Sequence, residues 1–452
     1  MSPISDRSPS RPAPFVRVVV VNFDGGAVTR RCVDALLVTE HPADRLEVVV
    51  VDNASVDGLN WVLREEYPQV RLIESDTNEG FARGCNLAMR DLDGVDFLAL
   101  INNDAIVEPN WLAPLVARMD DPTVGAVSPK LLLNVWAHAI TLRPSTTVEL
   151  DHERTVGVKV DKIEVNGVDL TEKVRFDERF WPEHPTEEGR WTKGEASVWW
   201  AVADGDAPAD TVVLHLSAPT TMQVELGVPD QPRTVTVGPE PVVVECTVAN
   251  AGRILNSAGG GLYTGWFGGD RGFLEPDQGQ YDTSEEVFSW CGGAVLLRGD
   301  YLRDVGIFDP TYFLYYEDFD LAWRGRSSGW RYLYEPTARV FHEHAYSSKA
   351  GSDFFTFWVE RNRRLTLIKN GPAKVALRGY VGCVLTTVRY VGSHTYHRLR
   401  RLRPPSPTAL KVICKPIVSL TKAVPAALRE RRRINRGRTV SNADLERWML
   451  SK

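Results

Sequence analysis

The six cysteines (Cys32, Cys85, Cys246, Cys291, Cys383 and Cys414) are scattered, with no C-x-x-C pair among them. That spacing offers neither a zinc site nor a disulfide framework, and it suits a reducing cytoplasm. No stretch has the length and purity of a membrane span. Residues 1–14 are rich in Ser, Pro and Arg but have no apolar centre, so a disordered lead-in is expected rather than a signal peptide. No G-x-G-x-x-G follows the first apolar run and no G-x-x-x-x-G-K-S/T occurs, which excludes a Rossmann dinucleotide site and a P-loop.

What is present is the composition of a globular protein: 452 residues, 43% hydrophobic and 25% charged, enough for two or three domains. The net charge of −6 hides an asymmetry. Residues 371–452 hold 18 Lys and Arg against 3 Asp and Glu, a balance of +15 that leaves −21 on the first 370 residues.

Four short apolar runs set the organisation of the N-terminal part. Val16 to Val21, Leu46 to Val51, Val70 to Ile73 and Phe97 to Ile101 read as strands, and helical patterns separate them, one carrying Val33, Leu36 and Leu37, one Trp61, Val62 and Leu63, and one running through Met89. Alternating βα units of this length imply a parallel sheet flanked by helices. Each strand ends in a polar or glycine-bearing loop: Asn22 to Gly26, Asp52 to Gly58, Asn78 to Asn86, and Asn102-Asn103-Asp104. In a parallel sheet these loops open on one edge, where a nucleotide can lie. Asp104, preceded by two amides, offers hard oxygen ligands for Mg²⁺ or Mn²⁺ and thereby a means to neutralise a diphosphate, although Asn-Asn-Asp is equally turn chemistry.

Val-Val-Asn22-Phe, Val-Asp52-Asn-Ala-Ser-Val-Asp57-Gly, Asn78-Glu-Gly80-Phe81-Ala-Arg-Gly-Cys-Asn86 and Leu-Ile-Asn102-Asn103-Asp104 together resemble the family-two inverting glycosyltransferases of GT-A fold, especially their rhamnosyltransferase-like branch. The resemblance implies that Asp52 binds the nucleobase, that Asn78 to Asn86 line a nucleotide-sugar pocket shared with Asn22, Asp57 and Asn103, and that Asp104 holds the metal. Asn102 stands where the family's Asp-x-Asp has its first carboxylate and is the weaker ligand.

From about Asn134 to Gly252 the texture changes to short alternating or β-branched runs divided by turns such as Asn166-Gly167 and Asp204-Gly205, which predicts an inserted antiparallel β-sandwich. Its Trp136, Trp181, Trp191, Trp199 and Trp200 admit sugar stacking, but Trp199-Trp200 in a strand predicts one ring in the core and one outside. The family-like text resumes at Arg253, and glycine-dense residues 253–272 predict a mobile loop over the crevice. Trp290, Gly292 and Gly293 open a strand whose glycines allow close approach of an acceptor.

Glu317, Asp318 and Asp320 start a helix, where the dipole favours negative charge. Asp320 and Arg324 are spaced to pair, which leaves Asp318 freer. The resemblance makes Asp318 the base that deprotonates the acceptor hydroxyl, with Glu317 contacting the acceptor or orienting the loop. It also places a histidine near the metal or diphosphate; His342 is preferred to His344. Arg361, Arg363 and Arg364 either serve the diphosphate or solvate their helix.

The fold class expected is therefore α/β: a GT-A-type, mostly parallel sheet flanked by helices (15–133 and 253–370), an inserted antiparallel β-sandwich (134–252) and a basic helical C-terminal tail (371–452). The expected activity is a metal-dependent inverting transfer of a sugar, rhamnose first, from a nucleotide diphosphate to a lipid-linked or cell-envelope glycan. The basic tail points to the inner, anionic face of a membrane rather than to nucleic acid, since aromatic base-stacking modules are missing. A non-catalytic glycan-binding protein and a nucleotidyltransferase are the rival readings.

Overall fold

The structure is a computed structural model that describes residues 12–152, 154–183, 187–228, 232–343, 352–401 and 403–450. The N-terminal alternation forms as the sequence predicts: β1 (Val16–Asn22), α1 (Gly26–Leu37), β2 (Leu46–Asp52), α2 (Leu59–Glu66), β3 (Val70–Glu74), α3 (Gly80–Met89) and β4 (Phe97–Ile101). The strands lie in the order β3-β2-β1-β4 and pair in parallel. Because helices cover both faces, the valine runs are buried, with only Val21 at the end of β1 partly exposed. Val18, Val20, Val48 and Val50 pack with Cys32, Val33 and Leu36 of α1 on one face; Val19, Val49 and Val51 pack with Ala82, Cys85 and Met89 of α3 on the other.

The short β5 (Ala105–Val107) and helix α4 (Leu112–Arg118) lead to β6 (Val124–Pro144), a single strand of 21 residues. The boundary read between residues 133 and 134 therefore falls inside one continuous strand. Its second half carries the insert. It pairs antiparallel with β8 (Ala196–Val202) and β10 (Met222–Gly227), and the latter pairs with β11 (Arg233–Val237). The facing sheet holds β7 (Lys159–Val165), β9 (Asp210–Ser217) and β12 (Val242–Val248). Ile140, Val198, Trp200, Ile163, Leu214 and Leu216 fill the space between the sheets. Trp199 points away from that core yet is also buried, covered by Leu133, Ala137 and Ile254. The expected outward ring is thus closed in, because the other face of this strand meets the transferase half.

The stretch 253–272 is not a loop. It forms β13 (Gly252–Ser257), β14 (Gly260–Tyr263) and β15 (Phe267–Asp270), and β13 pairs with β6. The glycines serve contact rather than mobility: a Cβ on Gly260 would lie 2.1 Å from Ser289 Oγ, and one on Gly268 would lie 2.4 Å from Phe319 Cδ2.

Beyond this, β16 (Ala294–Arg298) runs antiparallel between β4 and β6, α5 (Gly299–Val305) and α6 (Glu317–Ser327) follow, and β17 (Arg331–His342) pairs in parallel with the first half of β6 and antiparallel with β5. Three long helices follow, α7 (Asp353–Asn370), α8 (Ala373–Arg400) and α9 (Pro407–Gly437), and then a short helix, Asn442–Glu446, and a strand, Met449–Leu450, that pairs in parallel with β14. The long helices pack against one another, and Ala376, Cys383, Leu420 and Ala427 join the main core. The basic tail is thus docked helix rather than a free segment. No helix among the described residues is long and apolar enough to cross a membrane.

Candidate active site

At the ends of β1 and β2 the expected nucleotide ligands are held in place by hydrogen bonds within the protein. Asn22, buried, donates from Nδ2 to Asp52 Oδ1 (3.0 Å) and Ser55 Oγ (2.9 Å), and its Oδ1 accepts from Thr29 Oγ1 (2.7 Å) and Gly25 N (3.2 Å). Asn103 donates to the same Thr29 hydroxyl (2.9 Å). Asp57 accepts from Gly26 N (2.7 Å) and Leu59 N (3.0 Å) and so ties the loop after β2 to the start of α1. Asn22 and Asp57 thereby shape the crevice floor, while Asp52, buried at the end of its strand, accepts from Asn22 and from Ser55 N (3.2 Å).

The segment after β3 is held in the same manner. Asn78 Oδ1 accepts from Gly80 N (2.9 Å), and Gly80 adopts φ +76°, where a Cβ would strike Phe313 O at 2.3 Å. Phe81 N donates to that carbonyl (2.8 Å), and Asn86 Nδ2 reaches Phe308 O (2.9 Å). Asn53, which the sequence reading passed over, is the centre of this loop. It donates to Asn78 Oδ1 (3.1 Å) and Gly80 O (3.2 Å) and accepts from Glu79 N (2.9 Å). Its only signal in the sequence was its place beside Asp52.

At the end of β4 the three expected metal residues meet. His342 Nε2 lies 2.9 Å from Asp104 Oδ1 and 3.2 Å from Asn102 Nδ2, and both Asp104 and His342 are buried. The antiparallel register of β17 with β5, His342 opposite Ala105, makes this contact. His342 Nδ1 sits 2.6 Å from Asn256 Oδ1, which can only accept, so Nδ1 donates there and Nε2 faces the carboxylate. Two acceptors at that separation call for a proton or a cation between them. The donor set, one carboxylate, one imidazole and a neighbouring amide, therefore fits a divalent ion of the Mg²⁺ or Mn²⁺ class. Among the described residues no group of three or more His, Cys, Asp and Glu converges, so further ligands would come from substrate and water. His344 lies outside the described residues.

The acidic start of α6 forms a second centre. Asp318 accepts from Gly292 N (2.9 Å) and Phe319 N (2.6 Å), and burial raises its carboxyl above the ordinary value against those bonds. Glu317 is buried, with Oε2 lacking any hydrogen-bond partner; burial first, and the Asp318 charge second, push its carboxyl well up. Of this tightly coupled pair Glu317 is pushed up further, because only Asp318 has backbone donors aimed at it from outside its own residue. Asp320 is taken up entirely in structure, bonded to Arg324 (3.1 Å), Lys369 (2.7 Å) and Asn370 (2.8 Å).

The turn into α6 is strained: Tyr315 and Tyr316 both have positive φ, 69° and 70°. Asn362 of α7, fully buried, holds that turn by donating to Leu314 O and Tyr315 O, each at 2.8 Å. Tyr316 OH donates to Gly268 O (3.2 Å) on β15. That strand brings in a carboxylate missed in the sequence, Asp270, raised to about 6 by burial, with the Asp318 charge adding and bonds from Ser257 and Cys291 opposing. Glu178 of the insert adds to the same field. Asp270 was concealed by a stretch that reads as a glycine loop.

Two expectations change. Trp290 is 2% exposed, its ring packed on Phe308 at 6.2 Å, so it underlies the site and presents no surface to an acceptor. Gly292 and Gly293 are buried too. They link the two centres instead: Gly292 N donates to Asp318, and Gly293 O accepts from Asn102 N (3.0 Å). Arg361 is buried and donates to Thr311 O (2.9 Å) and Asn362 Oδ1 (2.6 Å), whereas Arg363 and Arg364 pair with Glu360.

Parts of the chain are similar to known proteins. A stretch of 130 residues is 35% identical to the O-antigen biosynthesis protein RfbC of Myxococcus xanthus, covering 28% of this chain and 10% of that protein. Another of 72 residues is 40% identical to the N-acetylglucosaminyl-diphospho-decaprenol L-rhamnosyltransferase of Mycobacterium tuberculosis, covering 16% of this chain and 24% of that one. The chain thus spans a quarter or less of the length of these curated relatives. Among solved structures, GalNAc-T7 with UDP, GalNAc and Mn²⁺ aligns with a TM-score of 0.41 and 14% identity over 79% of this chain and 48% of that one. Residues 17–144, which run from β1 to the end of β6 and include Asp104, match the family model described as Glycosyl transferase family 2.

Proposed function

We propose that this chain is a metal-dependent inverting glycosyltransferase. It moves a sugar from a nucleotide diphosphate to the hydroxyl of a lipid-linked or cell-envelope glycan, at the inner face of an anionic membrane. The observation that carries the reading is the bridge made by Gly292 and Gly293. Adjacent residues touch Asp318 and Asn102, so the acid–base group and the Asp104–His342 pair lie within one short span of backbone.

Asp104 and His342 would hold the divalent ion, with Asn102 beside them, and the ion would supply charge stabilisation for the departing diphosphate. Asp52, Asn78, Phe81, Asn86 and Asn103 line the donor pocket. Asp318, ionised beside a protonated Glu317, takes the proton from the acceptor hydroxyl as its oxygen attacks the anomeric carbon. The upward shift of its carboxyl makes it a stronger base at neutral pH. Glu317, neutral, donates its hydrogen bond to the acceptor.

A rhamnosyl donor is favoured by the mycobacterial relative, an L-rhamnosyltransferase; deoxythymidine diphosphate as its carrier follows only from the motif resemblance, and a uridine-diphosphate sugar comes second. The membrane assignment draws on residues 371–429, which hold no Asp or Glu, and on exposed Leu377, Val381, Leu385 and Val388 along α8. A panel of nucleotide sugars with Mg²⁺ or Mn²⁺, scored for donor binding and slow hydrolysis, tests the proposal without an acceptor. Donor hydrolysis by the wild type, lost in Asp104→Ala, is the expected result; no donor bound under any metal would refute it.

A further inference from the structure

The start of α3, the loop 310–313, α7 and α9 enclose a cavity of about 460 Å³ lined by Arg83, Arg361, Lys422, Ser419, Phe313 and Trp358, among others. Its lining holds three cations against one carboxylate, Glu79. Arg83 is bound to that carboxylate (3.1 Å) and to Pro310 O (2.9 Å). Lys422 forms no ion pair among the described residues, and neither does Arg361.

Arg361 is the telling member. It is 6% exposed, and its Nε is buried without a hydrogen-bond partner, although Nη1 is satisfied by Thr311 O and Asn362 Oδ1. Burial works against its charge, and the nearest acid, Asp309, is already taken by Lys369 at 2.6 Å. A guanidinium kept in so dry a place without a carboxylate lacks the anion that would stabilise it. The rings of Phe313 and Trp358 stack at 5.2 Å and form a flat apolar wall beside it.

We propose that this cavity binds a diphosphate group, that of the lipid-linked acceptor, which rests on the glycosyltransferase reading above. Arg361 and Lys422 supply the charge and Ser419 a hydroxyl donor. The cavity draws no residue from β4, β5 or β17, so it is separate from the Asp104–His342 pair, and it meets the donor pocket only at Asn78 on its rim. Its position suits an acceptor on both sides. Lys422 and Ser419 belong to α9, in the basic region assigned to the lipid surface. Phe313 opens the strained turn that delivers Asp318, and Asn362, next to Arg361, holds that turn. A diphosphate seated here anchors the lipid while the glycan runs on toward the base.

Calorimetric titration of the full chain in EDTA, which keeps a divalent ion from recruiting diphosphate to Asp104, tests the site. The probes are inorganic pyrophosphate and a water-soluble short-chain alkyl diphosphate. Saturable binding of the alkyl diphosphate is expected, weakened at least tenfold in Lys422→Glu and unchanged in Lys411→Glu, an equal charge change on α9 outside the cavity. No binding, or equal weakening by both variants, would overturn the site. Pyrophosphate binding as tightly as the alkyl form would overturn the lipid as its source. Donor hydrolysis with Mg²⁺ is measured in parallel: hydrolysis without diphosphate binding removes only the cavity, and binding without hydrolysis removes only the transferase reading.

Discussion

Replacing Asp270 by Asn makes a sharp test of the crevice electrostatics. In the folded chain this carboxyl is lifted from 3.8 to about 6, mainly by burial, with the Asp318 and Glu178 charges adding to it. Well below the unfolded value of 3.8 the group is protonated in both folded and unfolded chains and the lift has no effect on stability. As pH rises through 6 the native state must ionise a carboxyl that the unfolded chain ionises readily, so stability is lost across that window. The full difference is about 3 kcal/mol. Part of this is relieved by solvent, since Asp270 keeps some exposure. The asparagine variant carries no charge at this position and is spared the loss. Its advantage over the wild type should approach about 3 kcal/mol at pH 8 and fall to about 1 kcal/mol near pH 4.5. The lost carboxylate bonds to Ser257 and Cys291 act at both pH values, so comparing the two pH values isolates the ionisation. Urea unfolding followed by tryptophan fluorescence at each pH provides the readout. A stability difference that does not change with pH, or that grows on acidification, would refute the reasoning. Transfer should slow in the same variant, as expected where a destabilised carboxylate is kept in a site.

Other outcomes follow from single contacts. Asn362→Ala removes both bonds to the strained turn, so stability should drop by about 1–3 kcal/mol and kcat should fall more than donor KM rises, as steady-state kinetics would show. Gly268→Ala places a methyl against the Phe319 ring, and a thermal melt should register about 1–3 kcal/mol of destabilisation; an unchanged melt would mean that β15 is not packed on α6. His342→Ala should weaken Mn²⁺ binding about 10-fold or more by calorimetry, while Asn256→Ala, which frees the ring's other nitrogen, should show a smaller loss of the same kind. Because α8 and α9 are part of the core, membrane association is better tested by charge reversal than by truncation. Arg389→Glu, Arg398→Glu and Arg400→Glu together should lower sedimentation with anionic vesicles by at least about 3 kcal/mol, and salt-insensitive binding would count against the assignment.

The sequence by itself determined the βα half of the molecule. Val16 to Val21 and Leu46 to Val51 are β-branched and uninterrupted, a pattern that suits strands buried on both faces, and polar residues mark where each leaves the sheet. Asn102 and Asp104 stood out as polar groups set abruptly at the end of an apolar run, and Glu317 and Asp318 as the acidic start of a helix, their roles drawn from the family resemblance. Asp320 could be assigned to structure from its spacing to Arg324 alone. Only the tertiary structure decided the rest. Asn102 and His342 stand 240 residues apart and meet through a strand register that no local pattern encodes. The glycines of 259–268 read as mobility because a sequence shows a missing side chain but not the Ser289 or Phe319 that occupies its place. Asp270 was hidden within that stretch, and Trp199 gave no sign that a second layer would cover it. The insert looked separable because its composition changes at residue 134, whereas β6 passes through that point unbroken. Composition reports what each residue prefers to lie beside; which residue it actually meets is fixed by the path of the chain in space.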